Sequence, residues 1–181
     1  MMPIGPLMIE HRLIERMIRL LRQQLEKVGG QKKADPVFID MAVDFIRNYA
    51  DRCHHGKEED ILFRDLAKKG LSDEHRTIMD ELLDEHVRAR KATESLLEAK
   101  ERYLEGNPDA LRDIVDAITW LVNFYPIHIQ KEDRQFFMPV MGYFTKQEQD
   151  AMLQEFYEFD RNLIHSTYRS IIERTEKSTT A

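Results

Sequence analysis

The sequence predicts an all-α protein, an up-down-up-down four-helix bundle with one additional C-terminal helix. Three observations carry this reading. Apolar residues recur at helical spacing through runs of roughly 25–35 residues, with almost no β-branched alternation. Glycine and proline gather in short breaks between these runs. The connections are short, which favours antiparallel neighbours. A chain of 181 residues that is 42% hydrophobic and 33% charged fits one domain with a real core, not a disordered chain.

The elements follow from the punctuation. The first helix is read over 6–28 and stops at Gly29–Gly30. The second, 36–68, opens at Pro36 and closes before Gly70. Ser72 is the N-cap of the third, 73–105. Gly106-Asn107-Pro108 separates it from the fourth, 108–141, which ends at Gly142. Thr145-Lys146-Gln147-Glu148 reads as a capping box. It opens a fifth helix, 146–175, expected to pack outside the bundle through Phe156, Phe159, Leu163 and Tyr168. The domain reading is thus a metal-binding bundle over about 7–140, the extra helix within a single domain 1–175, and a disordered polar tail 176–181.

Several function classes are excluded. The formal net charge of -6, with no basic run to offset it, argues against nucleic acid as a partner. No stretch approaches the roughly 18 apolar residues of a membrane span, and the N-terminal residues lack the regions of a signal peptide. The single cysteine, Cys53, cannot form an internal disulfide, so a reducing cytoplasm is expected. There is no Gly-rich phosphate loop, nucleophile elbow or Cys-x-x-Cys pair. The oligomeric state is left open.

Two stretches share one spacing. His54 is followed by Glu58 and then Phe63, within CHHGKEEDILF; His128 is followed by Glu132 and then Phe137, within HIQKEDRQFFMP. Residues four apart on a helix share a face, and imidazole with carboxylate suits iron, manganese or zinc. The apolar stripes select the inward residues. On the first helix His11 continues Leu7 and Ile14. On the second, Val43, Ile46 and Ala50 lead to His54 and Glu58, which leaves His55 and Glu59 as an outer or flanking pair. On the third, Leu82, His86, Ala89 and Thr93 align. On the fourth, Ala117, Leu121 and Phe124 lead to His128 and Glu132. His54, His86 and His128 each lie about 13–14 residues from the same end of the bundle, so with His11 they can meet at one level.

These motifs, with Glu10-His11-Arg12 upstream and Glu85-His86 in mid-chain, resemble the hemerythrin-like (HHE) cation-binding domains over about residues 7–140. The resemblance implies a four-helix bundle around a non-heme di-iron centre, with His11, His54, His86 and His128 as terminal ligands and Glu58 and Glu132 as bridging carboxylates. It implies iron as cofactor, with another divalent metal as the alternative. It also implies binding of or reaction with O2, NO or peroxide in sensing, storage or stress defence. The O2 carriers of this family place a second histidine one turn away on the third helix. Leu82 and Arg90 stand at those positions here, so one nitrogen ligand is expected to be missing, with Glu15, Tyr49, Tyr125 or solvent in its place. Plain reversible O2 carriage is disfavoured accordingly. The alternatives are an iron or redox sensor acting through protein contacts, and a structural bundle with a vacant site.

The remaining residues have plainer expectations. Trp120, Phe124, Tyr125, Phe136 and Phe137 are read as walls that keep the site dry, and Pro126 as a kink. Cys53 is read as small filler beside the site, His75 as a capping or packing residue, and His165 as surface. Met17, Met41, Met79, Met138 and Met152 are read as core filler or loosely packed surface. The runs Lys57-Glu58-Glu59-Asp60 and Asp73-Glu74-His75-Arg76 are read as mostly solvated helix faces.

Overall fold

Helix α1 spans Ile4–Gln31. Pro6 falls in its first turn, where a missing N–H costs nothing. The helix runs through Gly29 and Gly30, where a stop was expected, and ends at Lys32 in the left-handed region (φ 54°). Glycine weakens a helix by only about 1 kcal/mol per residue, too little to end one held by packing on either side. This computed structural model describes the backbone of residues 2–179 and the side chains of residues 2–163.

Helix α2 covers residues 36–66. Asp35 caps it by accepting from the Phe38 N–H at 3.1 Å, and Pro36 opens its first turn. Two stretches of α2 are wound as wider π-turns, Ile46–His55 and Glu58–Phe63. Helix α3 spans Asp73–Leu104 and is capped by Ser72, whose hydroxyl accepts from the His75 N–H at 3.2 Å. Gly106 turns the chain at φ 84°, a conformation that favours glycine. Helix α4 covers 110–140, with a π-turn at Glu132–Phe136. Pro126 lies inside it and leaves the Val122 carbonyl without its usual partner; Arg22 of α1 donates to that carbonyl at 3.3 Å. A short 3-10 turn, Met141–Tyr143, leads to α5, Lys146–Thr179. The expected capping box is formed: Thr145 N–H donates to Glu148 at 2.8 Å, and Glu148 N–H to the Thr145 hydroxyl at 3.3 Å.

The helices α1 to α4 close into a bundle in which α1 packs on both α2 and α4. Their apolar faces form two separate clusters. One holds Ile14, Leu21, Ile46, Leu96, Ile114 and Leu121. The other holds Leu7, Leu62, Leu66, Leu82, Phe136 and Phe137, and α5 joins it through Met152 and Phe156. Between the two lies a layer of buried polar residues. Of the methionines, Met17, Met79 and Met152 are core and Met41 and Met138 are exposed. His165 and Tyr168 lie outside the residues whose side chains are described. The backbone of α5 is helical through Thr179, beyond the end expected at 175. Among the described residues, no helix is long and apolar enough to cross a membrane.

Candidate metal centre

The winding of α2 decides which side chains reach the polar layer. In a π-turn the hydrogen bonds span five residues, not four, so one turn takes between four and five residues and not the 3.6 of an α-helix. One turn on from buried Ala50 therefore falls between 54 and 55, and both imidazoles turn inward, each 1% exposed. The same widening buries the consecutive residues Ile61, Leu62 and Phe63 on α2, and Phe136 with Phe137 on α4. The expectation that His55 lies on an outer face is thus corrected. It rested on uniform α-helical spacing, which α2 does not keep.

His11, His54, Glu58, His86, His128 and Glu132 are each at most 2% exposed and meet in this layer with His55. Every imidazole is gripped from outside through Nδ1. His54 Nδ1 lies 2.9 Å from Glu10, His86 Nδ1 2.7 Å from Glu59, His128 Nδ1 2.7 Å from Glu85, and His11 Nδ1 2.8 Å from Asp133. Each of these carboxylates stands on one helix and holds the histidine of the next: α1 to α2, α2 to α3, α3 to α4, and α4 back to α1. Each also pairs with a cation from the histidine's own helix. Lys57 meets Glu10, Arg90 meets Glu59 (2.7 Å), Lys131 meets Glu85 (2.7 Å) and Arg12 meets Asp133. His55 has a looser partner, Asp51 at 3.4 Å on its own helix.

A carboxylate on Nδ1 holds the proton there and leaves Nε2 as a lone pair, the tautomer that a metal requires. Nε2 of His11, His54, His55, His86 and His128 is buried without a hydrogen-bond partner, as are both oxygens of Glu58 and of Glu132. These atoms fall into two groups, His55 with His86 and His128, and His11 with His54, Glu58 and Glu132. The glutamates reach across. Glu58 places one oxygen 3.4 Å from His54 Nε2 and the other 3.4 Å from His86 Nε2. Glu132 places one 3.1 Å from His11 Nε2 and the other 3.2 Å from His128 Nε2. Buried imidazole nitrogens and carboxylate oxygens that converge in an apolar shell fit a cationic group.

The electrostatics agree. Burial, with the facing charge of Glu132, pushes the Glu58 carboxyl well above its usual range. Burial pulls Glu132 the same way, but the charge of His128 and the nearby His11 and His86 hold it far below that range. Burial lowers His54 to about 4, helped by the charge of His11. His11 itself rises to about 9, because Asp133 and Glu132 outweigh its burial.

The aromatics close the layer. Phe63 stacks on His86 with ring centroids 6.1 Å apart, Phe137 on His11 at 5.6 Å and Phe124 on His128 at 5.1 Å. Phe63 and Phe137 are the aromatics that end the two repeated motifs.

A family model of the hemerythrin HHE cation-binding domain matches residues 2–138. The chain belongs to the hemerythrin HHE family. No curated protein and no solved structure matches it. Cation binding and the all-α bundle with its C-terminal helix follow from this membership and from the helices described.

The third helix carries no second histidine one turn from His86, as expected. Leu82 is core and Arg90 is engaged with Asp51 and Glu59, but His55 brings a fifth imidazole from α2. Of the residues considered for the gap, Glu15 accepts from Arg12 at the surface and Tyr49 stacks on Phe45. Tyr125 is buried with an unpartnered hydroxyl. Lys57, read as part of a solvated run, is fully buried. Its ammonium sits between Glu10 and Asp160 of α5 (2.8 Å), and Cys53 donates to Asp160 at 3.3 Å. A potential cation position of Glu10, Cys53 and Asp160 is thereby filled by the protein's own ammonium. Burial pushes the Cys53 thiol up to about 12. His75 bonds Tyr143 at 2.8 Å, a packing role as expected.

Proposed function

We propose that this chain binds a pair of non-heme irons through His11, His54, Glu58, His86, His128 and Glu132, with His55 as a further ligand, and reacts there with O2, NO or peroxide. The observation that carries the reading is the placement of Glu58 and Glu132, each with one oxygen toward a histidine of either group. A single cation needs no such span, whereas two neighbouring cations need carboxylates that reach both. Iron in those positions supplies a change of oxidation state and open sites for a small molecule. The protein's part is to fix the imidazole tautomers through four outer carboxylates, to keep water out with Phe63, Phe124 and Phe137, and to seat the bridging glutamates without competing hydrogen bonds. The test is metal analysis of anaerobically purified protein, followed by its visible spectrum with and without O2 and NO. A pair of irons per chain and a spectrum that responds to either gas are expected. One metal or none, or a silent spectrum, overturns the reading.

A second reading, a sensor acting through protein contacts, is favoured by one observation. Helix α5 lies beyond the family match, yet it is tied to the site through Asp160, Lys57, Glu10 and His54. Hydrogen exchange over residues 146–163 that slows on metal loading supports this reading, and exchange indifferent to metal removes it.

A further inference from the structure

We propose that a cavity of about 120 Å³ between α2 and α3, lined by Asp51, His55, Ala89, Arg90, Thr93 and Tyr125, is the entry route and holding site for a diatomic or triatomic, hydrogen-bond-accepting molecule bound for the histidine cluster. The proposal rests on the functional reading above and adds to it where the small molecule enters and which residue receives it.

Position is the first support. The cavity has His55 on its wall, whereas none of the cluster's residues lines the larger depressions of about 380 and 440 Å³ around Trp120. His55 belongs with His86 and His128, so a molecule in the cavity approaches that group and not the one of His11 and His54.

The second support is Tyr125. Its side chain is 1% exposed and its hydroxyl has no hydrogen-bond partner. Tyr125 lines the cavity together with Asp51 and Arg90. Burial raises the phenol above its ordinary range, so it stays a donor. A buried donor left without an acceptor is costly, and an acceptor held in the cavity removes that cost. Thr93 does not compete, because its hydroxyl donates to the Ala89 carbonyl at 2.8 Å.

The third is the charge balance. Arg90 is held by Asp51 and Glu59, each at 2.7 Å, and Arg47 pairs with Glu94 across the two helices at the half-exposed rim. With these charges paired, the cavity presents no free charge that would hold or repel a small acceptor, whether neutral or a singly charged probe such as azide. Its size excludes larger ones.

The experiment uses the metal-loaded protein, its Ala89→Leu variant, which fills the cavity, and Tyr125→Phe, which removes the donor. Crystals of each are pressurised with xenon, and azide binding is followed by stopped flow. Xenon is expected in the wild-type cavity and absent in Ala89→Leu. Azide association is expected to slow at least about ten-fold in Ala89→Leu. In Tyr125→Phe azide is expected to leave about ten-fold faster at a little-changed association rate. Should Ala89→Leu fail to fold, Thr93→Ile narrows the same space. Absence of xenon from the wild type, or an unchanged azide rate in a variant that has lost xenon, overturns the proposal. Xenon in the cavity of a protein whose spectrum ignores azide overturns the functional reading and leaves the cavity standing.

Discussion

His54 and His55 are sequence neighbours, and both present Nε2 to the same layer. Replacing either with alanine is therefore expected to lower metal content to a similar degree, as is Glu58→Ala. Glu59→Gln, which loosens the hold on His86 Nδ1 and leaves the proposed ligands in place, is expected to weaken binding by about 10–100-fold. Metal content after dialysis against a graded chelator measures all four, and full metal retention by His55→Ala would refute the role given to it. The proton balance gives a second prediction. Glu58 is pushed up and His11 rises to about 9, so both hold protons in the metal-free protein that a cation must displace. Affinity should rise with pH toward 9, with protons released on loading; an indicator dye in weak buffer reads the release. Six of the seven central residues were legible in the sequence, because His-x-x-x-Glu and the apolar stripes need only α-helical spacing. His55 was not, because that template has no place for a π-turn. The outer carboxylates left a trace, since Glu10-His11, Glu58-Glu59, Glu85-His86 and Glu132-Asp133 all set an acid beside a residue of the buried layer. Which histidine each acid holds depends on the neighbouring helix, and no single helix encodes that.

Among the elements, boundaries were legible wherever a cap or a proline fixes them, as at Ser72, Pro36 and the Thr145–Glu148 box. The attachment of α5 was legible only in part. Phe156 marks α5 as packing against the outside of the bundle, and it does so, but the charged run around Lys57 gives no sign that another helix will cover it. Two features of α2 admit α5. Gly56 lets the Phe159 ring lie so close that an added Cβ would sit 2.7 Å from Cζ, and Lys57 offers its ammonium to Asp160. Lys57→Met should keep the volume yet destabilise the protein by about 3 kcal/mol, because it leaves Glu10 and Asp160 without their shared cation. Adding Asp160→Asn should recover part of that loss in a double-mutant cycle by urea melts. A neutral Lys57→Met would show that the ammonium matters only for its bulk.

At the scale of the whole molecule, the polar layer divides the core into two apolar clusters, and its unpartnered acceptors weaken the metal-free form. A metal held at a thousand times its dissociation constant adds about 4 kcal/mol. For a chain of this size that corresponds to a fall of about 10 °C in Tm on chelation. Calorimetry with and without chelator measures it, and an unchanged Tm would mean that the layer is stable without a cation. The ring of outer carboxylates also bears on how the protein is made. Its final contact joins Asp133 to His11 across 122 positions of sequence. A growing chain still on the ribosome can present Glu10 to His54, or Glu59 to His86, but His11 stays ungripped until α4 has emerged. The order of synthesis therefore sets the time of metallation. The cell must deliver its cation to a finished bundle, and a nascent chain has no complete place to keep one.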